Sequence, residues 1–299
     1  ELRGVSAVLL DEVHERSLDT DLLLGMLAEV RTLREDLLVG AMSATVDAEA
    51  VADLLGGATT VHVPSALHEL TVDHAPSSAP RMDARGVTRD YLDHLARVSA
   101  RAQAAAGSDA LVFVPGAREV DELVARISRQ VDGVEVLALH GRLPASAQDR
   151  ATSGRRPGDP PRIVVSTAIA ESSLTVPGVH LVVDAGLSRE VRRDRGRDMS
   201  GLVTVSASRA SAQQRAGRAA RLGPGRAVRA FAESDLAGMP AQAPAEITAA
   251  DLTDAALLLA CWGTPRGEGL ALLTPPPRAE IEAAEATLRS LGLVDDQGR

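Results

Sequence analysis

The sequence contains no lysine: all 32 of its Lys+Arg residues are arginine. That excludes a Walker A loop, G-x-x-x-x-G-K-[ST], within these residues, because its lysine is what reaches the β- and γ-phosphates. Asparagine is absent too, while alanine, arginine and glycine abound, a bias that reads as GC-rich coding. Aromatic residues make up only 1%, so the core has to be built from Ala, Val, Leu and Ile. One cysteine, Cys261, excludes an internal disulfide and suits a reducing cytoplasm. Its place in the apolar run 255–262 predicts a buried packing role. No apolar stretch approaches the ~18 residues that span a bilayer, and no signal peptide opens the chain. The opening Glu1-Leu2-Arg3 starts in mid-pattern, and residues 294–299 end without an obvious terminus, so the sequence reads as a piece of a longer one. A net charge of −9 with pI ≈ 5.3 is not the basic balance of a typical sequence-specific DNA binder. It still allows a local arginine-lined cleft to contact phosphates.

What the sequence does contain is an alternation of short apolar runs and amphipathic helical stretches, the pattern of a parallel α/β sheet. A length of 299 residues suits about two domains. Strands are predicted at 5–10, 37–42 and 59–63, with helices at 19–33 and 47–55. The Pro- and Ser-rich stretch 75–85 reads as a linker or loop. A second α/β unit follows, with strands at 110–114, 134–139, 162–166, 180–183 and 226–231. Its helices are expected at 87–106, 118–131 and 208–222, and a β-hairpin over 186–206. Beyond residue 240 the pattern is helical, with helices at 249–261 and 279–291 joined through the triplet Pro275-Pro276-Pro277.

Directly after the first apolar run stand Asp11-Glu12-Val13-His14. Two adjacent carboxylates at the C-terminal end of a strand suit a nucleotide-hydrolysing site, where one holds Mg²⁺ and the other polarises the attacking water. The plain alternative is a strand end followed by a helix cap. A zinc-protease pattern fails, because position 18 is leucine where a second histidine is needed. Ser43-Ala44-Thr45 closes the second strand as a hydroxyl relay or a simple N-cap. In Gln213-Gln214-Arg215-Ala216-Gly217-Arg218-Ala219-Ala220-Arg221, a helix would put Gln214, Arg218 and Arg221 on one face. Two guanidiniums so placed can reach a γ-phosphate, and arginine fingers are worth ~10³–10⁵ in rate. The alternative is a solvated basic face, against which the small residues around them argue. The hydroxyl-rich run 166–175 offers donors to sugar-phosphate oxygens. Arg189, Arg192, Arg193, Arg195 and Arg197 on the hairpin offer cations to the same backbone, or plain solvated charge. His62, His68 and His74 assemble no metal site.

In order, DEVHER, SAT, STAIAESSLT and QQRAGRAAR resemble motifs II, III, V and VI of the DEAH-box helicases of superfamily 2, most nearly their bacterial HrpB-like branch. The run 111–116, LVFVPG, resembles motif IV. Segments 244–247 and 288–293 resemble the start of the family's winged-helix region. The resemblance covers nearly the whole chain. It implies the back half of a first RecA-like domain at 1–65, a complete second RecA-like parallel-sheet domain at 66–232, and the start of a winged-helix helical module at 233–299. ATP would bind in the cleft between the RecA-like domains, and an RNA strand would cross both. Carried over residue by residue, Asp11 and Glu12 serve Mg²⁺ and the water. His14, Ser43 and Thr45, with Asp184, belong to the nucleotide side and its link to strand movement. Gln214, Arg218 and Arg221 act on the γ-phosphate. Gly116, Thr167, Arg189, Arg192 and Arg193 are candidate strand contacts. The implied activity is an ATP-dependent RNA helicase in the cytoplasm, with DNA as the other candidate strand and no membrane partner. The competing reading is a nucleic-acid-binding pseudo-helicase that does not hydrolyse ATP. Two departures stand out: Ala168 where the family usually has Asn, and Ala220 where it usually has Gly.

Overall fold

The computed structural model describes residues 2–44, 48–63, 68–171, 174–194 and 199–299. Thr45, Arg195 and Arg197, and the side chain of Arg193, therefore lie outside the described residues. Two compact units are present, one of residues 1–63, 191–201 and 244–299, the other of residues 64–190 and 202–243.

In the first unit, β1 (Ala7–Leu10) and β2 (Leu38–Ala41) pair in parallel, Ala7 opposite Leu38 and Leu10 opposite Ala41. Between them runs α1 (Leu18–Leu33). It starts where the Ser17 hydroxyl accepts the N–H of Thr20, an N-cap that satisfies a donor the first turn leaves open. After β2 comes the short α2 (Ala48–Leu54). Val13, Leu24, Val51 and Leu55 form a small core on this pair. The strand expected at 59–63 does not form; Val61 and Val63 are exposed. β-branched residues favour a strand only where a neighbouring strand accepts their ladder bonds.

The missed strand is β3 (Leu70–His74), which opens the second unit. The tiny pair β4 (Met82–Asp83) and β5 (Gly86–Val87) follows, then α3 (Arg89–Ala106), capped by Thr88. The unit continues as β6 (Asp109–Phe113), α4 (Ala117–Ile127), β7 (Glu135–Leu139), α5 (Ala145–Thr152), β8 (Arg162–Ser166) and β9 (Val179–Asp184). The hairpin strands β10 (Leu187–Asp194) and β11 (Met199–Ser206) lead into α6 (Arg209–Gly217), β12 (Gly225–Arg229) and α7 (Glu233–Gly238). Six strands form one parallel sheet in the order β3-β12-β9-β6-β8-β7.

Both faces of that sheet are covered, as parallel sheets require. Val112, Val165 and Val183 pack under α3 and α4 with Tyr91, Leu95 and Leu123. Leu111, Val164 and Val182 face Ala151 of α5 and Ala216 of α6. With so few aromatics, Tyr91 carries a central position; its hydroxyl sits 2.8 Å from the carbonyl oxygen of Ala185 and 3.1 Å from that of Ala230. Burial pushes its pKa up. Gly225 is required by a close approach, since a Cβ there would lie 2.1 Å from the Ala219 carbonyl oxygen.

The chain then returns to the first unit with α8 (Thr253–Trp262) and α9 (Arg278–Ser290). Leu252, Leu259, Ile281 and Leu288 pack with Leu22 and Met26 of α1 into one core. Cys261 is exposed, which corrects the expected packing role: Ala255, Ala256 and Leu259 take the buried face of α8 instead. Among the described residues, no helix is long and apolar enough to cross a membrane.

Candidate functional site

The acidic pair stands at the carboxyl end of β1. Asp11 is exposed, and its Oδ1 accepts the N–H of Glu12 at 2.8 Å. Glu12 (φ 53°) and Arg16 (φ 54°) bracket a single 3-10 turn, Val13–Glu15, both in the left-handed region. Such a residue costs ~1–3 kcal/mol when it is not glycine, and persists only where its surroundings over-determine it. Here Val13 is buried and donates its N–H to Met42 O at 3.1 Å, while Met42 N–H returns to Leu10 O at 2.7 Å. The end of β2 thus straps the acidic turn in place.

His14 connects this turn to Ser43-Ala44. The Ala44 N–H donates to His14 Nδ1 at 3.2 Å, and Glu12 Oε2 lies 3.4 Å from the same nitrogen. One nitrogen cannot serve both. While it accepts from Ala44 its proton is on Nε2 and the Glu12 contact is no hydrogen bond; a proton on Nδ1 would turn it to Glu12 and release Ala44. The amide geometry, an N–H aimed at an acceptor, favours the first state. Ser43 is exposed beside it.

Among the described residues no cluster of three or more His, Cys, Asp or Glu forms a protein-only metal cage. Magnesium bound with a triphosphate usually takes only one or two protein carboxylates, keeping waters and phosphate oxygens as its other ligands. An exposed Asp11 and a half-buried Glu12 fit that use.

In the second unit the helix expected to run to 222 ends at Gly217 and continues as a 3-10 turn over Arg218–Ala220. Arg218 turns onto the 166–175 loop: Nε donates to Glu171 O at 2.7 Å, Nη2 also reaches that oxygen, and Nη1 reaches Leu174 O at 3.3 Å. Arg221 is exposed, with Nη1 on Thr175 Oγ1 at 3.1 Å. Gln214 is half-buried on the preceding turn.

The sequence reading passed over Arg215, which is the buried centre of this region. It donates to Glu171 Oε2 (2.8 Å), Asp184 Oδ1 (3.0 Å), Leu187 O (3.0 Å) and Ser188 Oγ (3.0 Å), with its guanidinium 5.3 Å from the Phe113 ring centroid. Burial pulls its pKa down, but the charges of Glu171 and Asp184 outweigh that and hold it above the ordinary value. Asp184 is accordingly enclosed, at 2% exposure, as the partner of Arg215 and of the Gly186 N–H. Only burial separates Arg215 from its neighbours in the string 213–221, and burial is not written in that string.

Two of the candidate strand contacts, Gly116 and Thr167, lie at the carboxyl ends of adjacent strands. Val114 N–H bonds Ser166 O and Thr167 N–H bonds Leu139 O, which aligns the ends of β6, β8 and β7. Gly116 is the N-cap of α4, with no side chain closing the helix. A Cβ there would sit 2.6 Å from Glu119 Oε2 and 2.7 Å from the Arg189 guanidinium. Two predicted contacts thus lie side by side, with Arg189 held 3.5 Å from Glu119. Arg142, exposed in the loop after β7, was not anticipated; its N–H bonds His140 Nδ1 at 3.3 Å. Arg192 is exposed on the hairpin.

Comparison with known proteins places this geometry among relatives. The model of the helicase conserved C-terminal domain matches residues 89–223. ATP-dependent RNA helicase HrpB of Escherichia coli (strain K12) is 33% identical over 300 residues, 99% of this chain and 36% of that protein. The human protein named "Probable ATP-dependent RNA helicase DHX34" is 32% identical over 294 residues, 96% of this chain and 26% of that protein. The crystal structure of Escherichia coli DEAH/RHA helicase HrpB superposes with a TM-score of 0.89 at 32% identity, covering 99% of this chain and 37% of that one. The chain therefore spans about a quarter to two-fifths of the length of the relatives it matches.

Proposed function

The chain belongs to the DEAH-box helicases of superfamily 2, and from that premise we propose that the full-length protein is an ATP-dependent RNA helicase. The observation that carries this reading is the acidic pair Asp11–Glu12, presented in a strained, strapped turn at the carboxyl end of a parallel strand. Asp11 would hold Mg²⁺, and Glu12 takes the proton of the attacking water. Mg²⁺, when bound, neutralises charge on the phosphates. His14, Ser43 and Thr45 relay the state of the acidic turn. Gln214, Arg218 and Arg221 act on the γ-phosphate, for which Arg218 exchanges the Glu171 and Leu174 carbonyls for phosphate oxygens. Asp184 serves them indirectly by fixing Arg215. A single RNA strand lies along the ends of β6, β7 and β8. There Gly116 and Thr167 contact its backbone, with Arg189, Arg192 and Arg193 as cations. We assign residues 1–65 to the C-terminal half of a first RecA-like domain, 66–232 to a second RecA-like domain and 233–299 to the start of a winged-helix module.

These 299 residues alone contain no lysine to cradle the phosphates, so they hydrolyse ATP at almost no rate when isolated. A second reading is a nucleic-acid-binding protein that never hydrolyses ATP. The full-length protein and its Glu12→Gln variant decide between them. The first reading expects Mg²⁺-dependent ATP hydrolysis that RNA stimulates more than DNA does, lost in the variant. Wild type and variant with equal rates would remove Glu12 from its role.

A further inference from the structure

The residue that closes the acidic turn is held by chain more than 200 positions away. Arg16 forks onto Asp21 of α1, Nε to Oδ1 at 3.0 Å and Nη2 to Oδ2 at 2.9 Å, and Asp21 is 1% exposed. Arg16 Nη2 also donates to Thr274 Oγ1 at 2.7 Å. Its carbonyl accepts the N–H of Glu246 at 3.0 Å, and Glu246 Oε2 in turn accepts the N–H of Leu18, the first residue of α1, at 2.9 Å. The entry of the turn is strapped by Met42, and its exit by residues 246 and 274. Glu12 and Arg16 are the two left-handed residues that the turn depends on, and a left-handed arginine relaxes once its partners leave.

We propose that Glu246 and Thr274 are positioning residues for Glu12. Thr274 acts on the Arg16 side chain, and Glu246 acts on the Arg16 carbonyl through its backbone N–H and on Leu18 N–H through its carboxylate. Together they hold the exit of the acidic turn in the geometry hydrolysis needs, so that any displacement of the segment carrying α8 and α9 changes turnover. Neither touches substrate. The inference rests on the reading of Glu12 as the water-activating base and adds an input to it from the C-terminal helices. Small misplacements of a reacting group carry large rate effects, up to ~100-fold for 1 Å.

The test uses the full-length protein with Glu246→Ala, the milder Thr274→Val, and Glu246→Gln, which keeps an acceptor for Leu18 N–H. Steady-state hydrolysis of MgATP, thermal midpoint and amide hydrogen exchange over 12–18 are measured for each. The expected result is a fall in kcat of about tenfold in the Ala and Val variants, with KM for MgATP within about twofold of wild type. Exchange over 12–18 should accelerate in the Ala variant, and the Gln variant should return kcat to within about twofold of wild type. A lowered thermal midpoint with unchanged kcat per folded molecule would mean a docking staple only and overturns the proposal. So does an equal loss in the Ala and Gln variants. A wild type that does not hydrolyse ATP, with exchange responding as expected, instead brings down the assignment of Glu12, and the positioning role with it.

Discussion

β6 and β8 of the second unit are buried along their whole length, whereas β1 and β2 of the first leave Leu9 67% and Leu38 72% exposed. All four are short apolar runs that read alike as strands. The six-stranded sheet has helices on both faces and a strand on each side of β6 and β8. The two-stranded pair has one small core. Burial is thus a property of the layers around a strand, and the same apolar run is worth several kcal/mol in one setting and little in the other. In the first unit, Leu22 and Met26 of α1 join the core of α8 and α9.

The largest effect should come from the charged centre of the second unit. Arg215→Ala leaves Asp184 buried and Glu171 half-buried without their cation and should cost ~3–5 kcal/mol in urea unfolding; a loss below about 1 kcal/mol would show that water reaches the pair. Leu111→Ala, at a fully buried β6 position, should cost ~2–5 kcal/mol. Its counterpart Leu38→Ala on β2 should stay within ~0.5 kcal/mol, and equal costs for the two would erase the contrast between the sheets. Gly225→Ala forces a Cβ against the Ala219 carbonyl and should cost ~1–3 kcal/mol, seen as a lower thermal midpoint.

The smallest effect lies on the surface of α4. The hydrogen bond from Arg118 holds the Glu122 carboxyl below its ordinary range against a small opposing effect of burial, with Arg126 assisting. A depressed folded-state pKa means the stabilisation is present above the unfolded value of ~4.3 and is lost as pH falls through the folded value. Arg118→Ala should therefore cost only ~0.3–0.5 kcal/mol at pH 7, after solvent screening, and progressively less as pH falls through the folded value. A cost that persists in acid would assign the effect to lost packing of the Arg118 stem instead.

Much of the fold was legible. The run 162–166 was placed with the bounds it has as β8, because Arg-Ile-Val-Val-Ser is a short apolar run between Pro161 and a polar turn. The hairpin over 186–206 forms as β10 and β11. Strand 59–63 was expected and β3 was not, since Thr59-Thr60-Val61-His62-Val63 has the better composition but Leu70–His74 has β12 beside it. α5 was missed because Ala-Ser-Ala-Gln-Asp-Arg-Ala-Thr carries no apolar stripe. At the site, motif order picked out Asp11, Glu12, Arg218 and Arg221. It passed over Arg16 and Arg215, which lie inside the same strings, because a string does not say which arginine is turned inward.

Local chemistry follows from neighbours along the chain, so the sequence by itself determined the α/β alternation, the acidic pair at a strand end and the grouping of arginines over 213–221. Partners distant in sequence are a matter of packing, and only the tertiary structure decided those. It put Glu246 and Thr274 on Arg16, Glu171 and Asp184 around Arg215, and Arg189 against Gly116. The physical reason is desolvation. A charge costs little wherever it stands in an exposed chain, but once enclosed it must find its counter-charge, and the fold alone determines which residues become enclosed together.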